Sequence, residues 1–309
     1  MKKLTILLST MLLFATLGYS QVAINTDGSN ADSSAMLDIK SSTKGLLLPR
    51  MTTIQISSIS NPAAGLLVYN TDSSDFYGYN GSKWISLWNT SDTISPWVCG
   101  DPITDSRDGQ SYTTVQIATQ CWMAENLNIG TVISGSSHQL NNGVIEKYCY
   151  NDDTANCDVY GGLYLWDEMM QYVTTEGTQG ICPSGWHLPS DSEWMTLEEE
   201  VESVSGVNWN TTGPRGYYAG SNLKETGTSH WYSPNNGATN FSGFTGLPGG
   251  KRYPDGTFSN LTTLGYWWTS SELDAYSAWN RSLHYDDARV FRYTEVKSNF
   301  GFSVRCQKD

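Results

Sequence analysis

The 309-residue sequence is poor in basic residues, with 18 Lys and Arg against 31 Asp and Glu and a formal net charge of -13. It contains no cluster or tail of Lys and Arg. Nucleic acids and anionic membranes are held through clustered basic side chains, so this composition argues against both as partners. After residue 20 no stretch is apolar enough to cross a bilayer, which takes roughly 20 consecutive apolar residues. The sequence therefore predicts no membrane insertion of the mature chain.

Recognisable catalytic motifs are also missing. The chain has no Gly-x-Ser-x-Gly motif, no His-Glu-x-x-His motif and no Cys-x-x-Cys pair. Adjacent carboxylates occur at 152–153 and at 286–287. Neighbours on an extended chain point in different directions, which suits solvated turns better than paired acid–base groups. The sequence therefore predicts that the protein is not an enzyme.

The first 20 residues have the layout of a secretory signal peptide. A basic start at 1–3 precedes an apolar run at 4–17, and small residues at 18 and 20 precede a cleavage site before Gln21. We therefore predict that residues 1–20 are a signal peptide, and that the mature chain is secreted or held at the cell surface.

All six cysteines lie after residue 98. They are Cys99, Cys121, Cys149, Cys157, Cys182 and Cys306. An even number of cysteines in an exported chain predicts a disulfide framework rather than a metal site. The possible pairings are numerous, and sequence proximity favours only the Cys149–Cys157 pair.

Residues 21–88 lack cysteine and contain short apolar runs among Ser, Thr, Asn and Asp. These runs lie at 35–39, 45–51, 65–69 and 76–79. Asn80-Gly81 predicts a type I′ hairpin turn, and 83–88 alternates in part as a half-buried strand does. So little apolar surface cannot form a large independent core. We predict a β-rich stalk or adaptor that self-associates or needs a partner, followed by a polar linker at 89–96.

The remainder of the chain combines predicted helices, strands and long loops. Ser190 and Glu193 match a capping box, and apolar residues then recur at helical spacing, which predicts a helix that ends before Gly206. A shorter helix is predicted over Leu163–Tyr172. Residues 206–265 are rich in Gly, Asn, Pro and Ser and predict long loops. Strand patterns follow at 266–270, 278–285, 289–294 and 302–306.

The stalk carries a resemblance to known proteins. The segment from Asp38 to Trp84, which includes Lys44–Met51 and Gly65–Thr71, resembles the N-terminal stretch of many exported Bacteroidetes proteins and of some phage tail-fibre proteins. Tail-fibre stalks often trimerise, and the resemblance therefore implies a homotrimer formed through the stalk.

Several motifs in order carry a second resemblance. They are Asp105–Tyr112, Gln120–Leu127, Tyr148–Tyr150, Cys157, Tyr160–Tyr164, Cys182–Pro189, Trp267–Glu272 and Ser303–Cys306. Together they are similar to the Fibrobacter succinogenes major paralogous domain, a family of exported bacterial proteins, over about residues 99–309. This family has no assigned biochemical activity that could be carried over.

A more distant resemblance bears on the fold. Gly185–Pro189 with Glu193-Trp194 is similar to a signature of formylglycine-generating enzymes, which have a C-type-lectin-like fold. It implies an α+β, C-type-lectin-like domain at 97–309, with two helices, antiparallel strands and long loops after the small β-rich stalk. It also implies a Cys182–Cys306 bridge, and with it a Cys99–Cys121 bridge. The oxidase activity is not implied, because those enzymes need a reactive thiol pair in the C-terminal part, where only Cys306 lies.

The candidate binding residues lie in the loops and on the terminal strands. They are Trp231, Tyr232, Trp279, Asn280, Arg281, His284, Arg289 and Arg292. Aromatic, Arg and Asn side chains are typical of surfaces that recognise sugars or proteins. We therefore predict an exported recognition or adhesion module for a glycan or protein ligand at the cell exterior. The alternative is a structural subunit of an envelope or fibre-like assembly.

No cofactor or metal is expected. The Glu-Pro-Asn and Gln-Pro-Asp motifs of calcium-dependent lectins are absent. Residues 151–156 carry oxygen ligands of the kind that Ca²⁺ takes. Oxygen-rich turns are common without metal, so a hydrated turn is the favoured interpretation.

Overall fold

The computed structural model describes residues 21–88, the backbone of 93–94, and residues 97–309. The predicted signal peptide at 1–20 and most of the predicted linker at 89–96 lie outside the described residues. Two compact units follow each other along the chain, one ending at Trp97 and the other running from Val98 to Asp309. Both are mixed α+β and consist mostly of small sheets with short helices.

The first unit is built from short strands and one helix within 21–88 and 93–94. They are β1 (Val22–Ile24), β2 (Leu37–Ile39), β3 (Arg50–Met51), α1 (Thr53–Ser57), β4 (Leu67–Asn70), β5 (Asp75–Tyr79), β6 (Trp84–Ser86) and β7 (Thr93–Ile94). Strands β1 and β2 pair in parallel, while β3 to β7 form a sheet in sequence order. The buried core of this unit consists of Ile56, Val68, Tyr77 and Trp84.

The predicted type I′ turn at Asn80-Gly81 is wrong in detail. Strands β5 and β6 are joined by the four residues 80–83, since Tyr79 pairs with Trp84. The Asn80 carboxamide oxygen accepts the backbone N–H groups of Ser82 and Lys83, each at 2.9 Å. An Asn side chain that bonds its own turn in this way favours the longer loop over the two-residue turn.

The second unit contains the remaining elements, in chain order. They are β8 (Ile103–Thr104), β9 (Ser111–Tyr112), β10 (Thr114–Ile117), β11 (Gln120–Met123), β12 (Thr131–Val132), β13 (Glu146–Lys147), α2 (Thr154–Tyr160), α3 (Trp166–Met169), β14 (Trp186–His187), α4 (Asp191–Val201), β15 (Gly213–Arg215), α5 (Ala219–Leu223), β16 (Gly249–Arg252), β17 (Phe258–Leu261), β18 (Leu264–Glu272), β19 (Ser277–His284), β20 (Val290–Val296) and β21 (Gln307–Lys308). A 3-10 turn at Tyr150–Asp152 precedes α2.

Two sheets organise this unit. The larger has the strand order β15-β20-β19-β18-β16-β17, and its centre is the antiparallel meander β18-β19-β20. The smaller has the order β10-β11-β21-β14, which brings the last strand of the chain between β11 and β14. Residues near the two ends of the unit therefore meet in one sheet.

The core of the second unit is aromatic and lies around α4. The rings of Trp122 and Trp194 are 5.2 Å apart, and Phe244 lies 5.7 Å from Trp194 and 6.1 Å from Trp267. All four side chains are fully buried. Fully burying one large apolar side chain contributes roughly 1.5–3 kcal/mol to the stability of the fold. The packing of these rings therefore holds α4 in place in the second unit.

The start of α4 is as predicted, but its end is not. Ser190 and Glu193 form the predicted capping box. The helix ends at Val201, because the Glu202 carboxylate accepts the backbone N–H groups of Ser203 and Val204 instead of continuing the helix. Val204, predicted on the buried face, is therefore exposed.

The second helix prediction covered too much of the chain, and three short helices were missed. Only Trp166–Met169 of the predicted Leu163–Tyr172 is helical. Leu163 and Tyr164 form isolated bridges with Tyr148 and Phe302, which requires an extended backbone. The missed helices are α1, α2 and α5, each too short for a periodic apolar pattern.

The strand predictions for the meander agree with β18, β19 and β20 to within a few residues. The predicted strand at 302–306 is replaced by isolated bridges at Phe302 and Ser303, and β21 begins at Gln307. The three cysteine pairings are confirmed: Cys99–Cys121, Cys149–Cys157 and Cys182–Cys306. Among the described residues, no helix has the length and apolar character needed to span a membrane.

Candidate binding surface

Half of the predicted binding residues lie inside the second unit. Trp231, Asn280, Arg281 and Arg292 are buried. Their side chains cannot contact a ligand at the surface of this structure, so their placement on a binding surface is corrected. Each has an internal role instead.

Arg281 and Arg292 belong to a buried ion-pair network, which we call the arginine network (Asp191, Glu198, Arg215, Arg281 and Arg292). One Asp191 oxygen lies 2.7 Å from Arg281 Nη1, and the other lies 2.6 Å from Arg292 Nη2. Arg281 and Arg215 both pair with Glu198. Burial would raise the pKa of Asp191, but the hydrogen bond from Arg292 and the charge of Arg281 outweigh it, so that pKa lies below its usual value. The network joins α4 to β15, β19 and β20.

The buried tryptophan has an equally structural position. Trp231 belongs to the aromatic core, and its indole N–H donates to the carbonyl oxygen of Gly246 at 3.0 Å. Trp279 is half-buried, with the Arg292 guanidinium 3.4 Å from its ring centre. Asn280 is buried on the central strand, paired with Trp268 on one side and Tyr293 on the other.

The other predicted residues do reach the surface, and three of them lie in or beside two ring pairs, Tyr232–Tyr285 and His284–Phe291, which together with Arg289 we call the aromatic strip (Tyr232, His284, Tyr285, Arg289 and Phe291). The rings of Tyr232 and Tyr285 meet edge to face at 5.4 Å, and His284 stacks on Phe291 at 3.8 Å. The Arg289 guanidinium lies 5.8 Å from the Phe291 ring centre. Burial lowers the pKa of His284, which favours its neutral, stacking form. Rings with a polar edge beside an exposed Arg are typical of recognition surfaces.

A second surface was missed by the sequence interpretation. A loop groove of about 490 Å³ lies between the end of α4, helix α5 and the segment 237–241. Its lining residues are Glu200, Val201, Glu202, Ser203, Tyr218, Ser221, Asn222, Gly237, Thr239 and Phe241. Phe241 is 83% exposed and Tyr218 is 51% exposed. The only signal in the sequence was an aromatic residue inside a Gly- and Asn-rich loop.

Glu202 fixes the groove by joining α4 to α5. One of its carboxylate oxygens accepts backbone N–H groups of Tyr217 at 2.6 Å, Tyr218 at 2.9 Å and Ala219 at 3.2 Å. Burial would raise the pKa of Glu202, but these bonds and the one from Val204 hold it below its ordinary value. A carboxylate that accepts several N–H groups at the start of a short helix holds that helix end in place.

The loop that carries Phe241 is held just as firmly. The Thr239 hydroxyl donates to the Asn222 carboxamide oxygen, and the Ser242 hydroxyl donates to the Asn222 carbonyl oxygen, both at 2.7 Å. Phe244, three residues after Phe241, is buried in the core. Phe241 is therefore presented to solvent by an ordered loop.

The oxygen-rich residues 151–156 serve the local structure. Asp153 caps α2 through the Ala155 N–H, and Asp152 accepts the Gly135 N–H at 2.6 Å. The Asn156 amide donates to the Tyr150 carbonyl oxygen at 2.9 Å. Across the described part of the chain, no three His, Cys, Asp or Glu side chains are grouped so that they could hold a metal ion.

The first unit exposes many large apolar side chains, which we call the stalk apolar surface. They are Val22, Ile24, Met36, Leu37, Ile39, Leu46, Leu47, Ile54, Leu66, Leu67, Leu87 and Trp88. The buried core of this unit has only four apolar residues, so more large apolar side chains are exposed than buried. Extended exposed apolar surface marks a site of association.

Two family models match the chain. The one described as the Fibrobacter succinogenes major domain matches residues 115–308, which is more than half of the chain. The one described as a phage tail like trimerisation region matches residues 23–98. Neither a curated protein nor a solved structure matches the chain. The resemblances to the Fibrobacter succinogenes major paralogous domain and to a tail-fibre stalk, both inferred from the sequence, are thereby confirmed.

Proposed function

Because the chain belongs to the Fibrobacter succinogenes major domain family, we propose that it is an exported, non-catalytic binding protein at the cell surface. The observation that carries this proposal is the aromatic strip, in which Tyr232 and Arg289 are exposed and the other three side chains are half-buried. Three disulfides support a location outside the cytoplasm, where such bonds persist. In this proposal residues 1–20 are removed as a signal peptide, 21–88 form the stalk, 89–96 the linker and 97–309 the binding domain.

The proposed fold of the binding domain is C-type-lectin-like. Three observations support it. Strand β21 pairs with β11, so that the ends of the domain meet, and the Cys182–Cys306 bridge anchors the last strand. In addition, the loops between α4 and β18 form a groove. A lectin-like domain of this kind presents its ligand surface on long loops, where Tyr232 and Phe241 lie.

The ligand of the aromatic strip is proposed to be a glycan or a protein. Purified full-length chain is applied to a glycan and cell-surface array, with calcium and again with a chelator. We expect selective binding that survives the chelator, because aromatic and Arg side chains carry the recognition. Binding that disappears with the chelator would instead indicate a metal-dependent lectin and favour residues 151–156. A blank array would leave a protein partner or the structural role below.

A second candidate function is that of a structural subunit of an envelope or fibre-like assembly. The match to a trimerisation region over residues 23–98 favours it. The stalk apolar surface supports the same interpretation. Association would bury this surface, and each Å² of apolar area removed from water contributes roughly 25 cal/mol to the free energy of association. We propose that the chain is a homotrimer through the stalk, whether or not its second unit binds a ligand.

Met36→Glu with Leu47→Glu is expected to convert the trimer into monomers. Leu47 is 79% exposed, so the change costs the isolated unit little but places charges in an apolar interface. Light scattering on full-length protein gives the mass. Leu273→Glu in the second unit, which removes a leucine that is 52% exposed, is the control and should remain trimeric. A wild-type monomer, or a trimer that tolerates both stalk changes, would contradict this assignment.

A further inference from the structure

We propose that the loop groove is a carbohydrate site and that it accepts neutral sugar rings in preference to anionic ones. The inference rests on the proposed binding function and adds the position and chemical class of the ligand. It concerns residues outside the aromatic strip, so each surface can be tested separately.

The apolar part of the groove matches the face of a sugar ring. Phe241 and Tyr218 line the same cavity and are 83% and 51% exposed. The C–H face of a sugar is flat and apolar, and stacking on an aromatic ring removes both surfaces from water. The volume of about 490 Å³ lies within the roughly 300–1,000 Å³ usual for small-ligand sites. The groove therefore has room for a short oligosaccharide.

The two rings stand on a fixed frame. Tyr218 is placed by the bond from its N–H to Glu202, and the Phe241 loop is held through Asn222. A flexible loop loses conformational entropy when it becomes ordered on binding, and a preformed groove avoids this loss. Phe241 and Tyr218 are both exposed and line the same groove, and an exposed apolar patch is more informative than a single exposed side chain.

The polar rim supplies hydrogen-bond acceptors. Glu200 lines the groove, is exposed, and has no ion-pair partner among the described residues. Ser203 lies beside it on the same rim. Carboxylates accept hydrogen bonds only, so Glu200 suits the hydroxyl donors of a sugar.

The charge of the groove sets the preference among sugars. Glu200 and Glu202 line it and Glu199 is adjacent in sequence, whereas the lining contains no Lys or Arg. Lys224, which directly follows α5, points its ammonium group at the carbonyl oxygens of Asn236, His284 and Asp287. Like charges repel, so sialylated and uronic-acid sugars are disfavoured.

The test is an array of neutral, uronic-acid-containing and sialylated oligosaccharides, followed by titration calorimetry with the strongest neutral one. We expect neutral sugars to bind and Phe241→Ala to weaken them at least about tenfold, as for an anchor residue. Tyr276→Ala removes a ring that is 77% exposed outside the groove and should leave binding unchanged. Melting temperatures of both variants should equal that of the wild type.

Other results overturn the inference. If Tyr232→Ala abolishes sugar binding and Phe241→Ala does not, the protein binds through the aromatic strip and only the groove assignment fails. If sialylated or uronic-acid sugars bind best, the charge argument fails. If no oligosaccharide binds, the carbohydrate site is refuted, and the trimeric stalk is judged separately by its mass.

Discussion

Arg281→Met is expected to lower the free energy of unfolding of the second unit by about 3–5 kcal/mol, which is the usual cost of breaking a buried ion pair. Arg281 is fully buried and contacts both Asp191 and Glu198. A methionine of similar length fills the space but removes one of the two arginine partners of each carboxylate, which leaves Asp191 paired with Arg292 and Glu198 paired with Arg215. Glu198 is itself fully buried, so its charge cannot be relieved by water.

The position of the arginine network explains why Arg281→Met should destabilise the whole second unit and not only α4. Asp191 and Glu198 are on α4, whereas Arg281 and Arg292 are on β19 and β20. The contacts therefore join the helix to the centre of the larger sheet. Denaturant unfolding followed by Trp fluorescence is a suitable measurement, because Trp194 lies on the same helix.

Arg289→Met is the matched control for this experiment. Arg289 is also an ion-paired arginine, but it is exposed and its partner Asp287 is two residues away. We expect a change of no more than about 0.5 kcal/mol, as for an ordinary surface substitution. Arg281→Met combined with Glu198→Gln should cost less than the sum of the two single changes, because the two residues share one interaction. An Arg281→Met protein as stable as the wild type would show that the network contributes little.

The arginine network also marks the limit of what the sequence could predict. The α4 capping box was visible because its two members are three residues apart, whereas Arg281 and Glu198 are separated by 83 residues. A strand pattern assigns side chains to faces only when one face is solvated. Trp267 and Trp268 are neighbours on β18 and both are fully buried, so this meander is covered on both faces. Arginines on it were therefore predicted at the surface.

The loop groove was missed for the opposite reason. Phe244 lies in the same kind of polar loop sequence and is buried in the core, so the sequence does not distinguish it from Phe241. Phe241 differs because Thr239 and Ser242 fasten the loop on both sides of it. These bonds connect the loop to Asn222, which lies on a helix too short to be predicted. By contrast, the disulfide pairings could be proposed, because sequence proximity favoured Cys149–Cys157 and the distant fold resemblance implied Cys182–Cys306 and, with it, Cys99–Cys121.

Replacing both Cys182 and Cys306 by alanine is expected to lower the free energy of unfolding by about 5 kcal/mol, more than removal of either other disulfide. The bridge spans a sequence separation of 124, and the entropy that a disulfide removes from the unfolded chain grows with the length of the loop it closes. The loss should also loosen β21, which has two residues and pairs with β11 at Trp122 and Gln307 only.

The local bridge provides the comparison that tests this reasoning. Cys149→Ala with Cys157→Ala opens a loop with a separation of only 8 and should cost about 2–3 kcal/mol on the same relation. All four sulfur-bearing side chains are buried, so the cavity left by alanine is similar in the two variants. Chemical denaturation of both double variants gives the two costs. Equal losses would mean that loop length does not determine the stabilisation, whereas a clearly larger loss for Cys182 and Cys306 supports the view that this bridge anchors the end of the chain to the segment before β14.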